Sequence, residues 1–170
     1  MYLLDTAIVL ELRRAKAGGA DAGLTRWAGG VASQDLFISA LTLLELETGV
    51  AQLERRDKPA GQHLRGWLDE RAAPAFDGRI LPVDAAVVRR RAQLPYADNR
   101  DGLLAATALE HGLTLVTRNA AAFKAGRVKV FDPRGYAPDA LRPEVEEEEA
   151  DWRQVAKTGP LWLKNLFLRS

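Results

Sequence analysis

Short apolar runs with the length of strands alternate along the chain with longer segments in which apolar residues recur at helical spacing. In residues 42–53, for example, four apolar side chains stand at positions i, i+3, i+7 and i+10, which predicts a helix with one buried face. Strands are predicted at 1–5, 36–39, 79–83, 113–117 and 128–131, and helices at 8–16, 24–28, 42–53, 61–72, 85–94 and 101–110.

This alternation of strands and helices is typical of α/β proteins, in which helices cover both faces of a parallel sheet. The sequence therefore predicts a three-layer α/β fold with a central, mainly parallel sheet flanked by helices. A change of composition near Pro138 divides the chain into a domain at 1–137 and a C-terminal extension at 138–170.

Composition narrows the class of protein. The 170 residues are 47% apolar and 28% charged, which is typical of a globular domain with a core. The absence of Cys excludes disulfide and thiolate chemistry and favours the cytoplasm. No run of residues is long enough to span a membrane. The apolar start is not expected to be a secretory signal, because Asp5 interrupts it and no basic region precedes it. Met1 is therefore expected to start the fold.

Basic residues are unevenly distributed. The net charge is +1, but residues 138–170 carry seven acids and five bases, which leaves +3 on the rest of the chain. The bases form clusters, one of which spans 118–129 and begins with Arg118. Such a cluster can contact the phosphates of a nucleic acid, and Arg118 is a candidate substrate-binding residue. Solvated helix faces are the alternative explanation for each cluster.

Three acidic residues lie near predicted junctions between strands and helices. Asp5 ends the first strand, Glu45 lies in the helix after the second, and Asp101 opens the helix before the fourth. Ligands bind at the carboxyl edge of open α/β sheets, so these carboxylates can converge there. Converging hard oxygens with no Cys and few His favour Mg²⁺ or Mn²⁺, which can activate water for attack on a phosphodiester.

Each acid also has a structural alternative. Asp101 can serve only as the N-cap of its helix, and Glu45 only as the partner of Thr42 in a capping box. Asp5 is harder to explain in this way, since burying an unpaired carboxylate in an apolar strand lowers the stability of the fold by several kcal/mol. His63 and His111 are expected to be structural.

Four motifs resemble those of PIN-domain ribonucleases, and most closely the VapC-type toxins of bacterial toxin–antitoxin pairs. The motifs are Met1-Tyr-Leu-Leu-Asp-Thr-Ala-Ile-Val9, Leu41-Thr-Leu-Leu-Glu-Leu-Glu-Thr-Gly-Val50, Asp101-Gly-Leu-Leu-Ala-Ala-Thr-Ala-Leu-Glu-His-Gly-Leu113, and Leu115-Val-Thr-Arg-Asn119 with Phe123. The resemblance covers residues 1 to about 137.

The resemblance implies a PIN-like fold and a Mg²⁺-dependent endoribonuclease, with Mn²⁺ as a possible substitute. It implies that the protein is the toxin of a type II system, usually dimeric, whose cognate antitoxin silences it and also binds DNA. By position, Asp5, Glu45 and Asp101 match the catalytic, metal-binding acids. Thr6 and Asn119 match supporting polar residues.

Two positions depart from the family pattern. Ala7 stands where the family usually has Asn, and Ala122 where it often has an acid. Both changes predict reduced activity and leave open whether one or two metal ions bind. The alternative function is therefore a catalytically weakened PIN domain that acts mainly as an antitoxin-binding regulatory module.

The C-terminal extension has a different character. An acidic run at 144–149 precedes an apolar segment at 161–168, which is too apolar to remain in water. It is expected to dock on its own domain, on a partner chain within a dimer, or in the manner of an antitoxin's toxin-binding segment.

Overall fold

A five-stranded sheet forms the centre of the protein in a computed structural model that describes residues 1–15 and 18–138. The strands are β1 (Tyr2–Leu4), β2 (Leu36–Ser39), β3 (Ile80–Leu81), β4 (Thr114–Val116) and β5 (Val130–Phe131). Their order across the sheet is β3-β2-β1-β4-β5, and each adjacent pair is parallel. The predicted α/β fold is confirmed, with a sheet that is parallel throughout the described residues.

The first strand lies in the middle of the sheet. Its Leu3 is in register with Phe37 of β2 and with Leu115 of β4. Successive side chains of a strand point to opposite faces, so Leu3 and Leu4 enter different layers of the core. Both are fully buried, which explains why β1 is apolar until Asp5.

Helices surround the sheet. They are α1 (Thr6–Arg14), α2 (Ala22–Gly30), α3 (Ala40–Arg56), α4 (Lys58–Trp67), α5 (Ala73–Ala75), α6 (Ala85–Ala92) and α7 (Asn99–Glu110). A π-helical turn at Leu68–Ala72 joins α4 to α5, and 3₁₀ turns occupy Ser33–Asp35 and Ala120–Gly126.

Two apolar clusters fill the layers on either side of β1. One contains Leu4 together with buried residues of α1, α2, α3 and α4, and the other contains Leu3 together with buried residues of α7. The larger cluster includes Ile8, Leu12, Leu24, Trp27, Leu46, Val50 and Trp67. The smaller includes Leu104, Ala105, Ala108, Leu115 and Phe123.

Several helices begin earlier than their apolar spacing predicts. The starts predicted at residues 8, 42, 61 and 101 lie at Thr6, Ala40, Lys58 and Asn99. Apolar periodicity marks the buried face of a helix, whereas the residue that caps its first turn sets where it begins. The helix predicted at 85 does begin at Ala85, because Asp84 caps it there by accepting a hydrogen bond from the Val87 N–H.

The C-terminal extension lies almost wholly outside the described residues, which end at Pro138. The domain boundary at 137/138 and the docking of 161–168 therefore stay predictions. Among the helices of the described residues, none is both long and apolar enough to cross a membrane.

Candidate active site

Asp5 is held in place at the carboxyl end of the central strand. Its N–H donates a hydrogen bond of 3.0 Å to the carbonyl of Val116, which joins it to β4. It occupies the N-cap position of α1, but its side chain makes no capping hydrogen bond. Oδ2 instead accepts from the hydroxyl of Thr117 at 2.7 Å, and Oδ1 from Arg100 at 2.6 Å. The residue is only 4% exposed, so its carboxylate is buried with partners for both oxygens.

Glu45 does not belong to a capping box. Helix α3 begins at Ala40 and is capped by Ser39, whose hydroxyl accepts a hydrogen bond from the N–H of Leu41. Thr42 is therefore inside the helix, and the predicted capping box of Thr42 with Glu45 is wrong. The carboxylate of Glu45 is free for other contacts.

Thr42 has a different role, which places Glu45. The hydroxyl of Thr42 is buried and donates to the carbonyl of Leu4 at 3.4 Å, so the first turn of α3 is tied to the end of β1. Glu45 stands three residues later, on the same side of the helix. Its carboxylate accepts hydrogen bonds from the hydroxyl of Thr6 and from Arg100.

Asp101 does not cap its helix either. The N-cap of α7 is Asp98, which accepts a hydrogen bond of 2.9 Å from the N–H of Asp101. The alternative of Asp101 as only an N-cap is wrong. Its carboxylate accepts from Arg100 at 2.9 Å.

The guanidinium of Arg100 joins the three acids into one cluster. Nε donates to Glu45 at 2.5 Å, Nη1 to Asp101 at 2.9 Å, and Nη2 to Asp5 at 2.6 Å and Glu45 at 3.1 Å. Partial burial lowers the pKa of Arg100, but the hydrogen bonds and charges of Glu45 and Asp5 outweigh it and raise the pKa above its usual range. Arg100 therefore stays protonated. It was not among the site residues predicted from the sequence.

The donor set fits a divalent cation, but the present spacing does not. Three carboxylates and one guanidinium leave a formal charge of −2, and carboxylate oxygens are the ligands that Mg²⁺ and Mn²⁺ prefer. Yet no group of three or more acidic or His side chains in 1–15 and 18–138 lies close enough together to hold an ion. The guanidinium of Arg100 lies among the three carboxylates and donates to each of them.

The family follows from comparison with known proteins. The sequence model of the PIN domain matches residues 2–128. The chain belongs to the PIN domain family. The predicted resemblance is thereby confirmed, and Asp5, Glu45 and Asp101 all lie within the matched part of this PIN domain.

Several relatives of this PIN domain match over nearly their whole length. Toxin FitB from Neisseria gonorrhoeae is 37% identical over 141 residues, which cover 78% of this chain and 98% of that protein. VapC ribonuclease Y4jK from Sinorhizobium fredii is 31% identical over 144 residues, which cover 78% and 97%. Part of this chain therefore has no counterpart in either relative.

Two solved structures that contain related chains share the fold of this PIN domain. A crystal structure of FitAcB from N. gonorrhoeae aligns with a TM-score of 0.70 and 35% identity, covering 78% of this chain and 98% of that one. A structure of FitAB bound to an IR36 DNA fragment aligns with a TM-score of 0.71 and 32% identity, covering 82% and 100%.

The residues predicted to support the acids divide into two groups. The hydroxyl of Thr6 donates to the carboxylate of Glu45, so Thr6 belongs to the cluster of this PIN domain. Asn119 precedes the 3₁₀ turn at Ala120–Gly126 and its side chain does not cap that turn. Its N–H donates to the hydroxyl of Thr117 at 3.1 Å, so its backbone supports the residue that holds Asp5.

Arg118 lies in a separate ionic network. Its guanidinium donates to Glu11 at 2.8 and 2.5 Å and to Asp132 at 3.1 Å, and it lies 3.8 Å from Asp21. These carboxylates surround a side chain that is mostly buried, so the guanidinium is committed to the protein itself. The geometry does not favour Arg118 as a phosphate contact.

The two departures from the family pattern fall in different surroundings. Ala7 is exposed in the first turn of α1. Ala122 is partly buried and packs against the apolar cluster that contains Leu3 and Phe123. Neither brings a polar group to the site, and the acids are held by Thr6, Thr117 and Arg100 instead.

Proposed function

We propose that this PIN domain is the toxin of a type II toxin–antitoxin system and a metal-dependent endoribonuclease. The observation that carries the proposal is that Asp5, Glu45 and Asp101, from distant parts of the chain, all meet the guanidinium of Arg100 at the carboxyl edge of the sheet. Its relatives include Toxin FitB and a VapC ribonuclease that match over nearly their whole length.

Asp5, Glu45 and Asp101 would hold the metal ion, which we propose to be Mg²⁺ or Mn²⁺. When bound, such an ion supplies an activated water molecule and stabilises charge at a phosphodiester. Carboxylate ligands suit both ions, and neither Cys nor a nearby His cluster offers a softer site.

Two threonine hydroxyls orient the carboxylates of Asp5 and Glu45. Thr117 donates to the buried oxygen of Asp5 and leaves Oδ1 directed toward the cluster. Thr6 holds Glu45 from the first turn of α1. Because both hydroxyls donate to carboxylate oxygens, they fix the orientation of Asp5 and Glu45.

The four groups of the cluster differ in their exposure to solvent. The side chain of Asp5 is only 6% exposed, whereas those of Asp101, Glu45 and Arg100 are 21%, 26% and 36% exposed. Glu45, Asp101 and Arg100 are therefore more open to a phosphodiester than Asp5 is. Single-stranded RNA suits such an edge, because its backbone can bend into the site without the constraint of a duplex.

The proposed partners follow from the solved complexes. One relative is named Toxin FitB, and a solved structure of FitAB is bound to a DNA fragment. We propose a cognate antitoxin for this chain, with DNA contacted through that antitoxin, and a homodimer of the toxin in the cytoplasm.

A weakened PIN domain that acts as a regulatory module is the second candidate. Its support is the guanidinium of Arg100, which engages all three acids, together with Ala7 and Ala122. Such a protein would bind an antitoxin and cleave RNA slowly or not at all.

The deciding experiment is cleavage of single-stranded RNA with Mg²⁺ or Mn²⁺ by the purified protein. Asp5→Asn, Glu45→Gln and Asp101→Asn are each expected to reduce cleavage to the level seen with a chelator, while circular dichroism shows an intact fold. Glu47→Gln is the matched control on α3, since Glu47 pairs with Arg65 away from the cluster.

The results separate the candidates. A variant that combines all three substitutions should not cleave RNA. If it cleaves at the parental rate, the site is assigned wrongly. No cleavage by the parental protein with either metal, combined with tight antitoxin binding, favours the regulatory module. A single-stranded DNA of the same sequence tests whether the sugar 2′-hydroxyl is required.

A further inference from the structure

Arg100 is the hub of the carboxylate cluster, although no spacing in the sequence connects it with two of its three partners. Asp5 and Glu45 are 95 and 55 residues away along the chain. Each of its three nitrogens donates to a different carboxylate or pair of carboxylates, at distances of 2.5–3.1 Å. A planar guanidinium satisfies such a ring of oxygens better than a point charge does.

The oxygens that face the cluster are already engaged. Oδ2 of Asp5 accepts from Thr117, so only Oδ1 is directed toward the other acids, and Arg100 donates to it. Both oxygens of Glu45 accept from Arg100, and Oε2 also accepts from Thr6. A Mg²⁺ ion binds oxygen at about 2.0–2.1 Å, which is closer than a guanidinium nitrogen can approach. The ion and the guanidinium therefore compete for the same oxygens.

Arg100 is able to leave the cluster without a change of fold. It is the second residue of α7, and its backbone is fixed by the helix that Asp98 caps. Its side chain is 36% exposed, and its flexible stem allows the guanidinium to turn into solvent. Asp101, its neighbour, stays in place because its N–H remains bonded to Asp98.

We propose that Arg100 is a built-in competitor of the metal ion. Its guanidinium offsets part of the negative charge of Asp5, Glu45 and Asp101 in the metal-free protein and must be displaced before these acids bind the ion. Arg100 therefore raises the metal concentration that the nuclease needs and prevents the empty cluster from destabilising the fold. This inference rests on the proposed function only in requiring that the cluster bind a divalent cation.

The test is calorimetric titration of Mn²⁺ into the full-length protein and into Arg100→Ala and Arg100→Gln. Both variants are expected to lower the Mn²⁺ dissociation constant about tenfold or more, which corresponds to ~1.4 kcal/mol. Arg90→Ala is the matched control, because Arg90 is an exposed arginine that pairs with Glu110. It is expected to leave Mn²⁺ affinity unchanged.

Thermal unfolding provides a second readout that does not depend on catalysis. In a chelator, Arg100→Ala is expected to melt at a lower temperature than the parental protein, because three carboxylates then repel one another. Addition of Mn²⁺ is expected to raise its melting temperature by more than that of the parental protein. Arg100→Gln keeps part of the aliphatic stem and a polar, uncharged end, and serves where the alanine variant does not fold.

The outcomes distinguish this inference from the proposed function. If the parental protein binds Mn²⁺, Asp101→Asn does not, and both Arg100 variants bind with unchanged or weaker affinity, the competition is refuted and the metal site stands. If none of the proteins binds Mn²⁺ and Asp101→Asn behaves like the parental protein, both proposals are refuted.

Discussion

The hydroxyl of Thr117 donates a hydrogen bond of 2.7 Å to Oδ2 of Asp5, across 112 residues of sequence. Both groups are buried, and they follow the adjacent strands β4 and β1. The bond fixes the rotamer of Asp5, whose other oxygen accepts a hydrogen bond from Arg100. A residue outside the acid cluster thus sets the direction of its deepest carboxylate.

Thr117→Val is expected to destabilise the protein by about 1–3 kcal/mol, because it leaves a buried carboxylate oxygen without its donor. It is also expected to reduce cleavage by about 10–100-fold, as is usual when a group that orients a metal ligand is lost. Urea unfolding and a cleavage assay measure the two effects. Thr117→Ser keeps the hydroxyl and should retain most activity; equal losses in both variants would mean that the methyl group matters instead.

Gly102 has no side chain, which leaves room for the guanidinium of Arg91 against the first turn of α7. The guanidinium of Arg91 donates to the carbonyls of Leu94 and Tyr96 and to the side chain of Asn99, at 3.2, 2.7 and 3.1 Å. A Cβ on Gly102 would lie 2.1 Å from Nε of Arg91. Gly102→Ala is therefore expected to lower the free energy of unfolding by about 1–3 kcal/mol, as measured by urea unfolding.

A double-mutant cycle checks the cause of that cost. In an Arg91→Ala background, Gly102→Ala should lower the free energy of unfolding much less, because the side chain that overlaps the new Cβ is absent. Gly66→Ala is the matched control, since a Cβ there has no neighbour within 4 Å. It is expected to stabilise α4 by about 0.5–1 kcal/mol. An additive cycle would exclude a collision between residues 91 and 102.

Stability is expected to fall at acidic pH through Glu11 and Asp132. Burial raises the pKa of Glu11, but hydrogen bonds from Arg118 and from the Asp21 backbone outweigh it, so the pKa lies below its usual 4.5. In the same way, hydrogen bonds from Arg134 and Arg118 outweigh burial and hold the pKa of Asp132 below 3.8.

Because these carboxyls have lower pKa values in the folded state than in the unfolded state, the stability that they provide is complete above the unfolded values. It is lost as the pH falls below 4.5 and passes through the folded values. Glu11→Gln is expected to cost about 1–3 kcal/mol near neutral pH. Urea unfolding over a pH series should show this difference narrowing in acid; a constant difference would contradict the assignment.

Much of the site was predictable because strand ends are visible in the sequence. Asp5 interrupts an apolar run, and Glu45 and Asp101 lie close to junctions, so their meeting at one sheet edge followed from the parallel topology. The mistaken alternatives arose from helix starts. Ser39 and Asp98 cap α3 and α7, a few residues before the apolar spacing begins.

Arg100 and Arg118 show what sequence spacing does not reveal. Arg118 belongs to a local run of bases, but its acidic partners Glu11 and Asp132 come from other elements and draw it into the protein. Arg100 stands outside the basic clusters, and its partners lie far away in sequence. The role of an arginine depends on which carboxylates the fold brings to it, and this is decided by tertiary packing.

The position of β1 at the centre of the sheet has a consequence for synthesis. The ribosome makes β1 first, but β4, which pairs with it, consists of Thr114–Val116. A nascent chain that ends before Asp101 contains Asp5 and Glu45 but neither the third acid nor Thr117. The complete cluster, with the hydroxyl that orients Asp5, therefore assembles only after translation has passed residue 117, and shorter products of premature termination lack it.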